Sequence, residues 1–114
     1  MQALFLVMAG GAIGAGARHL VGRAMLALLG TGFPYGTLAV NMAGGLLMGV
    51  LAGSLLRLGG GEASRLFLAV GVLGGFTTFS SFSLDAVTLW QRGAGAVALL
   101  YVALSVIGSI AALV

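Results

Sequence analysis

The side chains best suited to chemistry lie in residues 74–83, whose sequence is GGFTTFSSFS. Two adjacent glycines come first, and five of the seven residues from Thr77 to Ser83 carry hydroxyl groups. The stretch lies inside an apolar run from about Leu66 to Trp90, which is long enough to cross a bilayer. At membrane depth, irregular backbone is tolerated only where it is buried in protein or lines a wet cavity. We therefore expect a weakened membrane helix here, with carbonyl and hydroxyl groups available as ligands for an ion.

Two other apolar segments carry polar side chains at four-residue spacing. Thr37 and Asn41 are neighbours on one face of a predicted helix. Asn41 lies about 10 Å along that helix at 1.5 Å per residue, so its amide needs a partner or water. It either hydrogen-bonds a neighbouring helix or faces a permeation path. On the last segment, Tyr101, Ser105 and Ser109 form a stripe that favours a polar track, although a lone serine often bonds only its own backbone.

Phenylalanines recur at every third residue of the central stretch, at Phe76, Phe79 and Phe82. Aromatic residues at helical spacing ordinarily indicate packing. Here they alternate with hydroxyl side chains at the expected break, and the edges of aromatic rings carry partial positive charge. Ring edges and hydroxyl donors can together solvate a small anion, although the pattern alone does not name the ion.

The few charged residues lie near the ends of the apolar segments. Arg18 either extends its guanidinium to the membrane interface or gives an anion entrance a positive charge. His19 has no second histidine with which to share a metal ion, and we expect it at the interface. Glu62 has the context of a solvated loop charge, whereas Asp85 follows the hydroxyl stretch closely enough to lie at a pore mouth.

The composition is that of a membrane protein with one domain, residues 1–114. Hydrophobic residues make up 61% of the chain and charged residues 6%, whereas soluble domains carry about 25% charged residues. Five arginines against two acids are too sparse for a nucleic-acid surface. The absence of cysteine excludes disulfides and thiolate metal sites. One histidine without a carboxylate pair argues against an enzyme.

The predicted fold class is an all-α membrane protein with four transmembrane helices. The first segment lacks the basic start of a signal peptide and is interrupted by glycines, so we expect it to be a mature membrane helix. Arginines are nearly balanced between the two sides, so the positive-inside rule gives no orientation. Insertion in both orientations as an antiparallel homodimer, and a single orientation fixed by another signal, both remain open. The segments are about 3–29, 34–56, 66–90 and 94–114.

Small residues recur at four-residue spacing in several segments, including Gly45, Gly49 and Gly53 in the second. Such spacing lets helix backbones approach closely in lipid. Four helices leave no room for a pore beside a packed core, so we expect the chain to assemble. The glycine face of the second helix is the candidate surface for that assembly.

Three motifs in chain order resemble the Fluc (CrcB) family of fluoride channels. They are the glycine-rich first helix ending at Arg18, the run GTLAVN at 36–41, and GGFTTFSSF at 74–82. The resemblance covers the whole chain in length, helix count and motif order, and the third motif is long and distinctive. Two positions depart from the family pattern. His19 stands where a tyrosine often follows the arginine, and Asp85 stands where glutamate is common.

The resemblance implies a fluoride-selective ion channel that exports fluoride passively and relieves fluoride toxicity. It implies a dual-topology homodimer of antiparallel subunits with two pores, multi-pass in the inner (plasma) membrane, with a break in the third helix. The backbone carbonyls of Gly74 and Thr77 would hold a structural Na⁺ at the dimer centre, and Arg18 would lie in the vestibule. The residues matched to the fluoride pore are Asn41, Phe79, Phe82, Thr37, Ser81, Tyr101, Ser105 and Ser109.

The main rival class is a small proton-coupled multidrug exporter, which shares this length, four helices and dual topology. Such exporters need a carboxylate inside the first helix, and here the acids are Glu62 and Asp85. A non-transporting membrane subunit would explain the glycine packing but would leave the hydroxyl stretch without a role.

Overall fold

The computed structural model is all-helical and describes residues 1–30, 32–59 and 61–114. Four helical stretches are long and apolar enough to cross a membrane, which confirms the predicted all-α class with four helices able to span it. The third stretch, Glu62–Gln91, is divided into two helices. In chain order the helices are α1 (Gln2–Leu29), α2 (Tyr35–Leu58), α3 (62–76), α4 (Phe79–Gln91) and α5 (Gly95–Leu113).

The backbone leaves helical geometry between α3 and α4. Thr77 (φ −85°, ψ 160°) and Thr78 (φ −151°, ψ 121°) are extended, whereas the residues on both sides are helical. Thr78 is the N-cap of α4, and its Oγ1 accepts a hydrogen bond from the Ser81 N–H at 3.2 Å. Such a cap satisfies one of the amide donors that a helix start leaves unpaired. The dense hydroxyl residues of the sequence therefore coincide with the interruption.

The α1 and α3 backbones are in direct contact at glycines. A Cβ built on Gly71 would lie 2.9 Å from Gly10 Cα, and one built on Gly75 would lie 2.6 Å from the Gly11 carbonyl oxygen. Larger side chains would push the two helices apart, so these glycines set the position of α3. The helix itself is irregular and has three parts, namely Glu62–Ser64, a π-helix over Arg65–Leu73, and Gly74–Phe76.

Two of the three glycines on the α2 face pack against α5 of the same chain. A Cβ on Gly45 would lie 2.6 Å from the Ser109 carbonyl oxygen, and one on Gly49 would meet the Leu113 backbone. The expectation that the glycine face of the second helix serves assembly is therefore wrong at these two positions, because α5 already covers them. Gly53 alone of the three has open space where a Cβ would stand, as far as the described residues show.

The buried interior is small and lies mainly between α4 and α5. Phe82, Leu89, Ala98 and Tyr101 form one buried cluster, and Phe33 from the segment before α2 packs against it. Many large apolar side chains elsewhere are exposed, as expected where lipid or another subunit replaces water. The site described next is therefore positioned by glycine contacts, one aromatic cluster and a few polar bonds.

Candidate functional site

Asn41 binds the interruption between α3 and α4 through two hydrogen bonds to a single residue. Its Nδ2 donates to the Thr78 carbonyl oxygen at 3.0 Å, and its Oδ1 accepts from the Thr78 N–H at 2.8 Å. The amide thus satisfies both backbone groups of an extended residue. This is the bond to a neighbouring helix that the sequence left open as one alternative. An amide nitrogen carries two hydrogens, so Asn41 keeps one N–H for a further acceptor.

The same bonds release two backbone carbonyls from helical pairing. In a continuous α-helix, the Gly74 carbonyl would accept from the Thr78 N–H, and the Thr77 carbonyl would accept from the Ser81 N–H. Here the Thr78 N–H goes to Asn41, and the Ser81 N–H goes to Thr78 Oγ1. Gly74 is exposed and Thr77 is partly buried. Both carbonyls matched to the Na⁺ site have therefore lost their α-helical donors.

Two neighbouring carbonyls are occupied by side chains. The Leu73 carbonyl accepts from the Thr77 N–H and from Thr77 Oγ1, each at 3.1 Å. The Gly75 carbonyl accepts from Arg18 Nε at 3.1 Å. Arg18 is partly buried, so its guanidinium is anchored at the interruption and is not simply extended toward the membrane interface.

A cavity of about 410 Å³ brings together side chains of α2, α4 and α5, and we call it the phenylalanine cavity. Its lining includes Asn41, Phe79, Phe82, Ser105 and Ser109, which are five of the eight residues matched to a pore. Ser105 is only 5% exposed, and neither serine hydroxyl makes a hydrogen bond of standard geometry among the described residues, although Ser105 lies close to the Tyr101 hydroxyl. Buried hydroxyls of this kind call for a partner that this chain alone does not supply in standard geometry.

The two phenylalanines of this cavity have different surroundings. Their ring centroids are 5.5 Å apart and their planes are inclined by 48°. Phe82 is buried and also contacts the Tyr101 ring, with centroids 5.4 Å apart. Phe79 is 77% exposed, so this chain supports its ring on one side only.

A second cavity of about 300 Å³ collects basic and hydroxyl side chains, and we call it the arginine cavity. Arg18 and Arg23 contribute from α1, Thr37 from α2 and Ser81 from α4. No acidic residue of the described ranges is among its lining residues. A cleft lined by one sign of charge concentrates ions of the opposite sign, so the arginine cavity attracts anions. Thr78 lines both cavities, so they lie on either side of the interruption or adjoin it.

Tyr101 is not among the lining residues of either cavity. It is fully buried, and its hydroxyl donates to Asp85 Oδ2 at 3.2 Å. Asp85 and Arg92 line a third cavity of about 250 Å³. Residues four apart on an α-helix differ in direction by about 40°, so Tyr101 faces the buried cluster while Ser105 and Ser109 turn toward the phenylalanine cavity.

The structure thus divides the residues matched to the pore among three surroundings. Five line the phenylalanine cavity, Thr37 and Ser81 line the arginine cavity, and Tyr101 is bonded to Asp85. Thr78 was absent from that set, yet it is the residue common to both cavities. Its position immediately before a helical pattern is an N-cap signal, which could have identified it. Arg23 was also missed, because a second arginine near a helix end has no distinctive spacing.

The other charged groups lie away from the two cavities. Glu62 is exposed at the start of α3 and forms an ion pair with Arg65. Within residues 1–30, 32–59 and 61–114, no three His, Asp or Glu side chains come close enough to hold a metal ion.

Comparison with known proteins gives one consistent result. Residues 5–114 match the family model described as CrcB-like protein, Camphor Resistance (CrcB). The "Fluoride-specific ion channel FluC" of Sphingopyxis alaskensis is 60% identical over 113 residues, covering 98% of this chain and 90% of the relative. Proteins of the same name from Chelativorans sp. and Mesorhizobium japonicum are 58% and 53% identical, covering 99% and 96% of this chain and 91% and 89% of their own lengths. The chain therefore belongs to the CrcB family.

Proposed function

We propose that the protein is a fluoride-selective channel that lets fluoride leave the cell passively and so relieves fluoride toxicity. The names of three close relatives support this function, and a channel is not an enzyme. One structural observation carries the proposal. Asn41, two phenylalanines and two unpaired serine hydroxyls line one cavity inside a membrane protein. A membrane potential that is negative inside drives an anion outward, by about 2.3 kcal/mol per 100 mV for one charge.

Entry begins at the arginine cavity. Arg18 and Arg23 raise the local concentration of anions. The hydroxyl groups of Thr37 and Ser81 line the same space and can donate hydrogen bonds to fluoride as it loses water. Thr78 borders both cavities, so fluoride passes it on the way to the phenylalanines.

Conduction through the phenylalanine cavity relies on neutral donors. The free N–H of Asn41 and the hydroxyls of Ser105 and Ser109 can bind fluoride, a small ion and a strong acceptor. The edges of Phe79 and Phe82 add partial positive charge. A path must bind an ion well enough to admit it and weakly enough to release it. Neutral donors meet that requirement, and a narrow aromatic path disfavours larger halides.

We further propose that two chains assemble as an antiparallel, dual-topology homodimer with two pores in the inner (plasma) membrane. The 77% exposure of Phe79 supports this, because a second subunit would complete the side of the cavity that this chain leaves open. The near balance of arginines between the two ends of the helices is compatible with insertion in both orientations.

The backbone carbonyl oxygens at the interruption are suitable ligands for a structural Na⁺ at the proposed dimer interface. The carbonyls of Gly74 and Thr77 lack their α-helical donors, and carbonyl oxygen is a suitable ligand for a hard cation. Two carbonyls from one chain are too few for such an ion, so a second copy must supply two more. The ion would join the interrupted helices of the two subunits, and the channel's own side chains would carry the anion.

Ion efflux from liposomes that contain the purified protein tests the channel function. Fluoride and chloride efflux are compared under a K⁺ gradient with valinomycin, with protein-free liposomes as the control. We expect rapid fluoride efflux and negligible chloride efflux. Folded protein that releases no fluoride would overturn the proposal, and the drug–proton exchange of a small multidrug exporter would then be assayed.

A further inference from the structure

We infer that Asn41 is a positioning residue for the cation site, because it takes the Thr78 N–H and thereby keeps the Gly74 carbonyl free to bind Na⁺. This role rests on the proposed function, in which Gly74 and Thr77 hold that ion. It adds a task to a side chain that is otherwise matched only to the anion path.

Two oxygens, the Gly74 carbonyl and Asn41 Oδ1, are alternative acceptors for the Thr78 N–H. The Thr78 N–H is the donor that a continuous helix would give to the Gly74 carbonyl. Asn41 Oδ1 accepts it at 2.8 Å instead. Asn41 Nδ2 also donates to the Thr78 carbonyl at 3.0 Å, so the side chain grips both backbone groups of Thr78. This double contact stabilises the extended backbone against return to the helix.

Neighbouring hydrogen bonds determine which carbonyl oxygens remain free to bind a cation. Arg18 Nε occupies the Gly75 carbonyl, and Thr77 occupies the Leu73 carbonyl with two donors. The Ser81 N–H, which would otherwise pair with the Thr77 carbonyl, goes to Thr78 Oγ1. Local hydrogen bonds therefore occupy the carbonyl oxygens of Leu73 and Gly75. They also remove the helical donors from the carbonyls of Gly74 and Thr77, the two proposed to bind Na⁺.

The Asn41 amide also borders the phenylalanine cavity. Asn41 lines that cavity, and one of its two Nδ2 hydrogens remains for an anion. One side chain thus contacts the fluoride path and fixes the backbone that presents a carbonyl to Na⁺. Loss of Asn41 should weaken cation binding even in an assay that contains no fluoride.

The test measures the Na⁺ concentration that gives half-maximal thermal stabilisation of the full-length protein in detergent, with N-methylglucamine as the replacement cation. Asn41→Ala should raise this concentration about 10- to 100-fold, the usual effect of removing a group that orients a metal ligand. Asn41→Asp keeps an oxygen to accept the Thr78 N–H but sets a second carboxylate oxygen against the Thr78 carbonyl in place of the Nδ2 donor, so it should also raise this concentration. Ser109→Ala removes another polar group of the phenylalanine cavity without touching Thr78, and its Na⁺ dependence should match wild type.

Unchanged Na⁺ dependence in Asn41→Ala would overturn the inference. A wild-type protein whose stability does not respond to Na⁺ would also overturn it. If Asn41→Ala does not fold, Asn41→Ser replaces it, because a serine is too short to reach both groups of Thr78 and should give the same increase. Wild-type fluoride efflux is measured in parallel. Selective fluoride efflux in wild type, together with unchanged Na⁺ dependence in Asn41→Ala, would refute the role of Asn41 and still support the channel function.

Discussion

Ser105→Ala separates the roles of a buried hydroxyl in stability and in ion transport. Ser105 is 5% exposed and its Oγ makes no hydrogen bond of standard geometry among the described residues. An unpaired buried polar group costs about 1–3 kcal/mol. Replacing it with alanine removes that cost and breaks no hydrogen bond of standard geometry, although it deletes a hydroxyl close to that of Tyr101. We therefore expect the thermal unfolding midpoint to stay unchanged or to rise.

The same substitution should slow fluoride transport. A hydrogen bond to a charged group is worth about 1.5–3 kcal/mol. Each 1.36 kcal/mol added to a barrier slows a rate tenfold. If the hydroxyl contacts fluoride at the highest barrier, efflux from liposomes should fall about 10- to 150-fold. Stability and flux would then change in different directions, or flux would change alone.

The matched control is Ser54→Ala on α2, because Ser54 is absent from the linings of the three described cavities. Its efflux should equal that of wild type. Wild-type efflux in Ser105→Ala would show that the hydroxyl does not contact the ion. A large fall in the unfolding midpoint, with a proportionate loss of flux, would show that Ser105 makes a structural bond, and the reasoning would be refuted.

Three further experiments test separate features of the structure. Phe82→Ile removes a ring edge from the phenylalanine cavity and should cut fluoride efflux at least about tenfold. Cross-linking should show that the proposed dimer still assembles, and full efflux would exclude a role for the ring. Arg18→Gln should lower efflux more than Arg23→Gln, because only Arg18 also bonds the Gly75 carbonyl. The part of the loss that both variants share should shrink at high salt, and equal effects at every salt concentration would contradict this. Gly45→Ala should destabilise the protein by about 1–3 kcal/mol, since its Cβ would meet the Ser109 carbonyl, whereas Gly53→Ala should not.

The number and type of the helices could be predicted from the sequence. Long apolar runs separated by Arg, Gly and Pro have few alternatives in a bilayer. The expectation of a weakened third helix rested on local chemistry as well. Glycines and hydroxyl residues at 74–83 weaken a helix, and the structure has its extended residues at Thr77 and Thr78. Such features depend on neighbours in the sequence, which a single chain reveals.

Contacts between distant residues were harder to predict. Glycines at four-residue spacing indicate a close helix contact without naming the partner, so Gly45 and Gly49 were assigned to assembly although α5 covers them. The four-residue spacing of Tyr101, Ser105 and Ser109 predicts a single polar stripe on α5. A shift of about 40° for each four residues, however, turns Tyr101 to Asp85. The bond from Asn41 to Thr78 joins residues 37 positions apart, and no local pattern encodes it.

The interruption also limits what a side-chain scan can detect. A Cβ on Gly74 would have the Ala69 carbonyl oxygen as its nearest neighbour, at 3.6 Å, and the backbone at Gly74 is helical. Alanine therefore fits at this position and leaves the carbonyl in place. Where the proposed second subunit also leaves room for that Cβ, alanine scanning would score Gly74 as dispensable even if its oxygen binds an ion. Chemistry carried by the main chain becomes visible only when the peptide group itself is altered, for example by an amide-to-ester exchange, or when the side chains that hold it are removed.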